Sequence, residues 1–407
     1  MDKLFMESID AVSAYHTFSK EESKLLSMVD KAADDFAISE FEHYINKETN
    51  PDMQKVVKKN NLFGIPVSKE HGGLGMDMLM AVLTNQRFGH VSLGFPTFFD
   101  VNVFIAELTL QRWGTARQKR RYLRSMVKGE RIFSFALTEP EAGSDPSMMK
   151  TEYEKRDGRF VLNGTKYLIT NGSIADNMIV FAKSKSNPKD ITAFIIDTND
   201  KGFGVGMKLK EKLGLFTSDT AMPVFKNLEV SPDDVLGTEG KGLHVAYSAL
   251  MSGRMGIASG CLGVIEGSLK AVTARAKERV QHGKPIGKHQ LIQRHIAEIR
   301  QNLEMARWPT YFAAMRAKEY DGEPNNPSLR SEMDLRTSLA KKIASRLAFE
   351  SADRAVQVFG GFGYSLLSPV GALFLDSRVA RIYEGTDEIQ ELKIASKVLG
   401  EGFEAFS

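Results

Sequence analysis

The chain has 407 residues, is 42% hydrophobic and 26% charged, and carries a net charge of +3. Those figures suit a soluble globular protein of two or three subdomains and give little electrostatic reason to expect nucleic-acid binding. The lone cysteine, Cys261, excludes an internal disulfide, fits a reducing compartment, and lies in an apolar small-residue stretch that reads as a buried structural thiol.

The N-terminus, Met1-Asp2-Lys3-Leu4, shows no signal or transit pattern, and no apolar run is expected to span a membrane. A cytoplasmic location is expected, prokaryotic in the simplest reading, or the mitochondrial matrix if a presequence has been removed. Residues 1–130 read as helices joined by short turns, with apolar spacings of three and four over Glu21 to Ile45 and Asp77 to Phe88. Gly72-Gly73-Leu74-Gly75 is a connector and not a phosphate cradle, since no Lys-Ser/Thr follows it. The basic run from Arg117 to Arg124 reads as a solvated helix face. Over 131–236 the pattern changes to short β-rich runs such as Phe160-Val161-Leu162, Met178 to Phe181 and Ile191 to Ile196. Asn163-Gly164 predicts a two-residue hairpin turn there. Over 237–407 the helical period returns, from Gly242 onward. Leu291, Ile292, His295, Ile296, Ile299 and Leu303 form one stripe, as in a helix bundle. The expected fold is therefore α+β and mainly α: an N-terminal helical domain, a middle β-barrel or sandwich domain, and a C-terminal bundle.

Two segments carry chemistry. Phe135-Ala136-Leu137-Thr138-Glu139-Pro140-Glu141-Ala142-Gly143-Ser144-Asp145-Pro146 runs from an apolar strand into a loop whose N–H groups and hydroxyls suit the oxygens of a bound ligand. Arg381-Ile382-Tyr383-Glu384-Gly385-Thr386-Asp387-Glu388-Ile389-Gln390 places a carboxylate on a glycine-relieved turn just before a helix capped by Thr386. Beside apolar neighbours, Glu384 is a candidate general base. Gly360-Gly361-Phe362-Gly363 follows a helical segment and lacks the strand-loop-helix setting of a Rossmann fingerprint.

Taken together and in this order, the two segments resemble the acyl-CoA dehydrogenase family, flavoproteins that desaturate acyl-CoA thioesters. Further collinear pieces carry the same likeness over nearly the whole chain. They are Asn163 to Gly172, Lys212-Leu213-Gly214 with Ser218-Asp219-Thr220, Arg279 to Ile286, and Gln357 to Tyr364. The resemblance implies non-covalent FAD, an acyl-CoA substrate, an electron-transferring flavoprotein as acceptor, and a homo-oligomer built as a dimer of dimers. It implies no metal. Glu384 would take the position of the catalytic base. Phe135, Leu137, Thr138, Gly143, Ser144, Leu168 and Thr170 would line the flavin. Arg279, Gln281, His282, Gln357, Gly360 and Gly361 would reach the cofactor of a neighbouring subunit, with Thr386 and Glu388 also near it. Ser144, Arg254 and Gly385 would touch the substrate, and the plain alternative for Arg254 is an interhelical salt bridge.

Some members of the family carry the base just before the helix arginine corresponding to Arg254. Here that residue is Gly253, which leaves Glu384. Leu168 stands where the family usually has an aromatic flanking the flavin, and His282 replaces the usual Phe. Ala372 and Leu375 replace arginines before Asp376, so an ion-pair network is expected to be lost. Phe95, Phe98 and Phe99 read equally as pocket or as core. Alternatives within the likeness are a flavin oxidase, a dehydrogenase of carrier-bound acyl groups, and a DNA-protecting flavoprotein, which the near-neutral charge disfavours.

Overall fold

The computed structural model describes residues 1–403. Seven helices come first: α1 (Lys3–Ser13), α2 (Lys20–Asn46), α3 (Asp52–Asn60), α4 (Met78–Phe88), α5 (Gly94–Phe99), α6 (Leu108–Trp113) and α7 (Ala116–Val127). A π-helical segment, Asp100–Glu107, joins α5 to α6. Capping boxes at Ser19/Glu22 and Thr115/Gln118 start α2 and α7. The basic run is indeed the solvated face of α7, with Arg117 and Arg121 paired to Asp233 and Asp234.

The middle region holds β1 (Phe133–Ala136), β2 (Glu152–Arg156), β3 (Arg159–Thr165), β4 (Ile169–Thr170), β5 (Asn177–Ser184), β6 (Ile191–Asp197), β7 (Phe203–Lys208), β8 (Thr220–Val230) and β9 (Val235–Leu236). They form one sheet in the order β4-β8-β3-β2-β5-β6-β9, with β1 added parallel to β5 and β7 paired to β8. Successive residues of β5 point to opposite faces: Ile179 and Phe181 enter a core shared with α7, while Met178, Val180 and Ala182 enter one closed by β3 and β8.

The hairpin expected at Asn163-Gly164 is not there. Both residues lie inside β3, where the register shifts between Leu162 and Gly164 against β8. Gly164 has φ +151, and a Cβ on it would stand 2.4 Å from Thr151 Oγ1, so this glycine serves a bulge and a close approach of strands. The turn that joins β2 to β3 is Asp157-Gly158, with φ +50 and +76, the mirror-image geometry that two-residue hairpins demand.

The C-terminal region is α8 (Gly242–Glu278), a small hairpin of β10 (Val280–Gln281) and β11 (Lys284–Pro285), then α9 (Gln290–Gly322), α10 (Pro327–Phe359), α11 (Gly371–Ala380) and α12 (Asp387–Leu399). By length and composition alone α8 could cross a membrane, contrary to the reading that no run approaches that size, but it is the buried centre of the bundle. The stripe on α9 is only partly inward: Ile299 and Leu303 are buried, whereas Leu291 in the first turn is exposed. Phe95, Phe98 and Phe99 join Phe36, Phe63 and Phe88 in an aromatic cluster of the helical core.

Candidate active site

Glu384 sits in the turn between α11 and α12, at φ +55, a conformation a glutamate adopts only when its surroundings impose it. Five contacts impose it. Gln390 Nε2 donates to the carbonyls of Glu384 (3.2 Å) and Gly385 (3.0 Å). Lys341 Nζ also donates to the Gly385 carbonyl, at 2.6 Å. Arg381 Nε pairs with Asp387 (2.7 Å), and Thr386 caps α12 by accepting from the Ile389 amide. Gly385 is required twice over: its φ is +89, and a Cβ would lie 2.5 Å from Gln390 Nε2.

The carboxylate faces α8. Its Oε2 is buried and has no hydrogen-bond partner among the described residues, and a Cβ on Gly253 would stand 2.7 Å from it. The position that the resemblance marks as the alternative seat of a base thus adjoins the space that Glu384 fills here. Burial pushes the Glu384 carboxyl up to about 7, against the opposing pull of the Arg254 and Lys341 cations. The Glu384 amide N–H makes no hydrogen bond among the described residues, which leaves a donor beside the carboxylate.

One turn along α8, Asp100 presses on Gly256, where a Cβ would meet Asp100 Oδ1 at 1.8 Å. Asp100 is buried, its Oδ1 is unpartnered, and burial together with the Glu384 charge holds it well above the usual carboxylate range. It opens the π-helical segment, a geometry frequent at functional sites. Neither Asp100 nor Lys341 stands out in the sequence. An acid in an apolar helix was the only signal for the first, and a lysine on the inner side of α10 the only one for the second.

The predicted flavin-lining residues fall on adjoining strands. Tyr167 N donates to Thr138 O (2.8 Å) and Ser134 Oγ to Thr170 O (2.6 Å), which ties the end of β1 to β4. Phe135 and Thr138 are half-buried, Gly143 and Ser144 are exposed, and Gly143 has open space around it. Leu137 is the exception: its side chain is buried in the core beneath α7, so only its backbone faces the loop. Glu139 latches that loop by accepting from the amides of Thr151 and Lys150 and from Lys166 Nζ (2.7 Å). Leu168 is 48% exposed at φ +57. A large apolar side chain held outward in strained backbone, next to Tyr167 whose amide ties to the end of β1, is a surface built to be covered, and it fits a flat aromatic cofactor.

Arg254 is spent on a salt bridge to Asp334 of α10 (2.6 Å), and its Nε is left unpartnered. The arginines missing at Ala372 and Leu375 are replaced by neutral donors: Asp376 accepts from Tyr44 Oη (2.6 Å), Leu93 N (2.9 Å) and Leu215 N (2.6 Å). Two small cavities, about 180 and 100 Å³, lie near Lys212 and Glu40, and neither touches Glu384.

Arg279, Gln281 and His282 are exposed on the hairpin after α8. The Arg275 guanidinium lies over the Phe359 ring, 5.4 Å away, which places Gln357, Gly360 and Gly361 at the same end of the bundle. From Gly253 to Arg279 the helix rises roughly 39 Å, so this cluster is not brought together with Glu384 within one chain. Thr386 and Glu388 lie beside the turn, Glu388 exposed and the Thr386 hydroxyl engaged in its cap.

Family models for the N-terminal, middle and C-terminal domains of acyl-CoA dehydrogenases match residues 19–130, 134–228 and 240–399. An acyl-CoA dehydrogenase of Bacillus subtilis is 38% identical over 348 residues, 85% of this chain and 89% of that one. The structure of butyryl-CoA dehydrogenase from Megasphaera elsdenii superposes with a TM-score of 0.89 at 32% identity, covering 95% of this chain and 100% of the other. An acyl-CoA dehydrogenase complexed with FAD from Bacillus anthracis superposes at 0.87 with 26% identity, covering 94% and 67%.

Proposed function

Because this chain belongs to the acyl-CoA dehydrogenase family, FAD-dependent oxidoreductases acting on acyl-CoA thioesters, we propose that it converts an acyl-CoA to the trans-2-enoyl-CoA with Glu384 as its base. Glu384 removes the proton from the α-carbon. Its own free amide N–H donates a hydrogen bond to the thioester oxygen as negative charge develops there, where a fixed donor is worth most. Bound FAD supplies the acceptor for the β-hydride, chemistry that no side chain provides. Phe135, Thr138, Leu168 and Thr170 hold the flavin, while Gly143 and Ser144 lie along the thioester. The observation that carries this reading is the unpartnered, buried Oε2 of Glu384, with its carboxyl pushed up to about 7. Such a group is half ionised near neutrality and has no other partner to satisfy.

Arg279, Gln281, His282, Gln357, Gly360 and Gly361 serve the adenine end of a second subunit's FAD. The roughly 39 Å of α8 that separates them from Gly253 supports this. The working enzyme is then at least a dimer, and a dimer of dimers by analogy with its family. Electrons pass on to an electron-transferring flavoprotein. The uncovered Leu168 favours one second reading, direct transfer to oxygen, which peroxide formation under air during turnover would reveal.

Anaerobic bleaching of the flavin against butyryl- through palmitoyl-CoA, with isobutyryl-, isovaleryl- and glutaryl-CoA, tests the function. Glu384→Gln is expected to retain FAD and acyl-CoA and to lose at least about three orders of magnitude in flavin reduction. Near-normal reduction by that variant would remove Glu384 from the role.

A further inference from the structure

The turn that carries Glu384 is served by a buried ammonium that hydrogen bonding alone does not explain. Lys341, on α10, is fully buried and makes one hydrogen bond, to the Gly385 carbonyl at 2.6 Å. That carbonyl already accepts from Gln390 Nε2 at 3.0 Å. A neutral donor would therefore hold the turn at far lower desolvation cost than a buried cation. We propose that Lys341 is a positioning residue whose charge, set behind the Glu384 turn, keeps Glu384 ionised near neutral pH. The inference rests on Glu384 being the catalytic base.

The charges around Lys341 support this. From α12 it faces Asp387, whose Oδ2 is taken by Arg381 and whose Oδ1 receives Ser345 Oγ at 3.5 Å. From α8 it faces Cys261 and Arg254. Cys261 is a buried thiol pushed up to about 12, so it brings no negative charge. Arg254, paired with Asp334, which Lys393 also approaches at 3.2 Å, is a second cation that pulls Glu384 down from the α8 side. Asp100, on the π segment, is held well above the usual carboxylate range by burial and by Glu384 itself. The Tyr383 hydroxyl, buried against Thr97, is raised and neutral. That leaves Glu384, Asp387 and the exposed Glu388 as the anions in range; Asp387 already has Arg381, and Glu388 is screened by solvent. Burial drags Lys341 down to about 8, so its charge is present over the range where Glu384 titrates.

The test compares Lys341→Met, Lys341→Arg and Glu384→Gln holoenzymes by two readouts. Infrared titration of the protonated-carboxyl stretch, assigned by its absence in Glu384→Gln, reads the Glu384 ionisation directly, whether or not Glu384 is the base. The pH profile of anaerobic flavin reduction reads its use. Lys341→Met is expected to move the Glu384 midpoint upward by about one unit from about 7, which lowers flavin reduction about fivefold at pH 7 and lets it recover at higher pH. Lys341→Arg keeps the charge and is expected to hold the midpoint within about 0.3 units even if packing suffers. A Lys341→Met midpoint that stays put, with the rate reduced equally at every pH, overturns the proposal in favour of plain packing. A shifted midpoint with Glu384→Gln still active keeps the electrostatic coupling and removes the base assignment instead.

Discussion

Gly253→Ala separates catalysis from stability at one atom. The added methyl would sit 2.7 Å from Glu384 Oε2 and 3.0 Å from Ile105 Cγ1. Ordinary contact lies near 3.4 Å or beyond, so the carboxylate must retreat by about 0.7 Å. Gly253 lies inside α8, where replacing glycine by alanine contributes about 1 kcal/mol through helix propensity. Overpacking opposes this by about 1–3 kcal/mol. The two nearly cancel, and the net loss of stability is about 0–2 kcal/mol. Catalysis has no such offset: a base displaced by close to an ångström loses about a hundredfold. The assay is a thermal melt of the holoenzyme beside the rate of anaerobic flavin reduction with the best acyl-CoA of the panel. Reduction within about threefold of the parent, with the fold intact, would show that the carboxylate does not work from the place where it rests against α8.

The other predictions follow from the same geometry. Glu384 is raised from its ordinary 4.5 to about 7 in the fold, so the folded state holds the extra proton and stability falls as pH rises between those values. Glu384→Gln is therefore expected to be more stable than the parent above pH 7 by up to about 3 kcal/mol and equal to it near pH 4, read from melting curves across pH; a constant difference would contradict the raised ionisation. Burial and the Glu384 charge hold Asp100 well above the usual carboxylate range, so Asp100→Asn is expected to leave the pH profile of flavin reduction in place; a fall in its midpoint would mean that Asp100 is ionised in the native site. Gly164→Ala should cost more than about 3 kcal/mol, because the new Cβ meets Thr151 Cα at 2.6 Å, whereas Gly158→Ala, in open space, should cost about 1 kcal/mol. Equal melting temperatures for those two variants would undo the bulge assignment.

Helices and strands were legible where period and caps agreed. Thr386 before Asp387 starts a helix in the structure as the sequence implies, and the helical spacing over Glu21 to Ile45 and Asp77 to Phe88 falls in α2 and α4. The alternation along β5 likewise separates two cores. Asn163-Gly164 misled because the dipeptide signal is local, while the choice between turn and bulge is made by Thr151, just ahead of β2, and by the register with β8. Leu291 misled for a related reason: periodicity gives the direction of a stripe but not where the neighbouring helices stop covering it.

The candidate base was legible because the residues that mark its turn, Gly385, Thr386 and Asp387, follow it in the sequence, although Lys341 of α10 also holds that turn. What tunes it was not. Arg254, Lys341 and Asp100 come from α8, α10 and the π segment, and only packing brings them to one carboxylate. Burial drives Glu384 upward, and two cations that make no direct ion pair with it pull it back, so its ionisation near 7 is a balance of opposed terms set by tertiary distance. Gly253 adds the last condition, since an empty Cβ position is what leaves room for the carboxylate. A substitution at any of these four positions would leave the motif around Glu384 untouched in the sequence while changing what that glutamate can do.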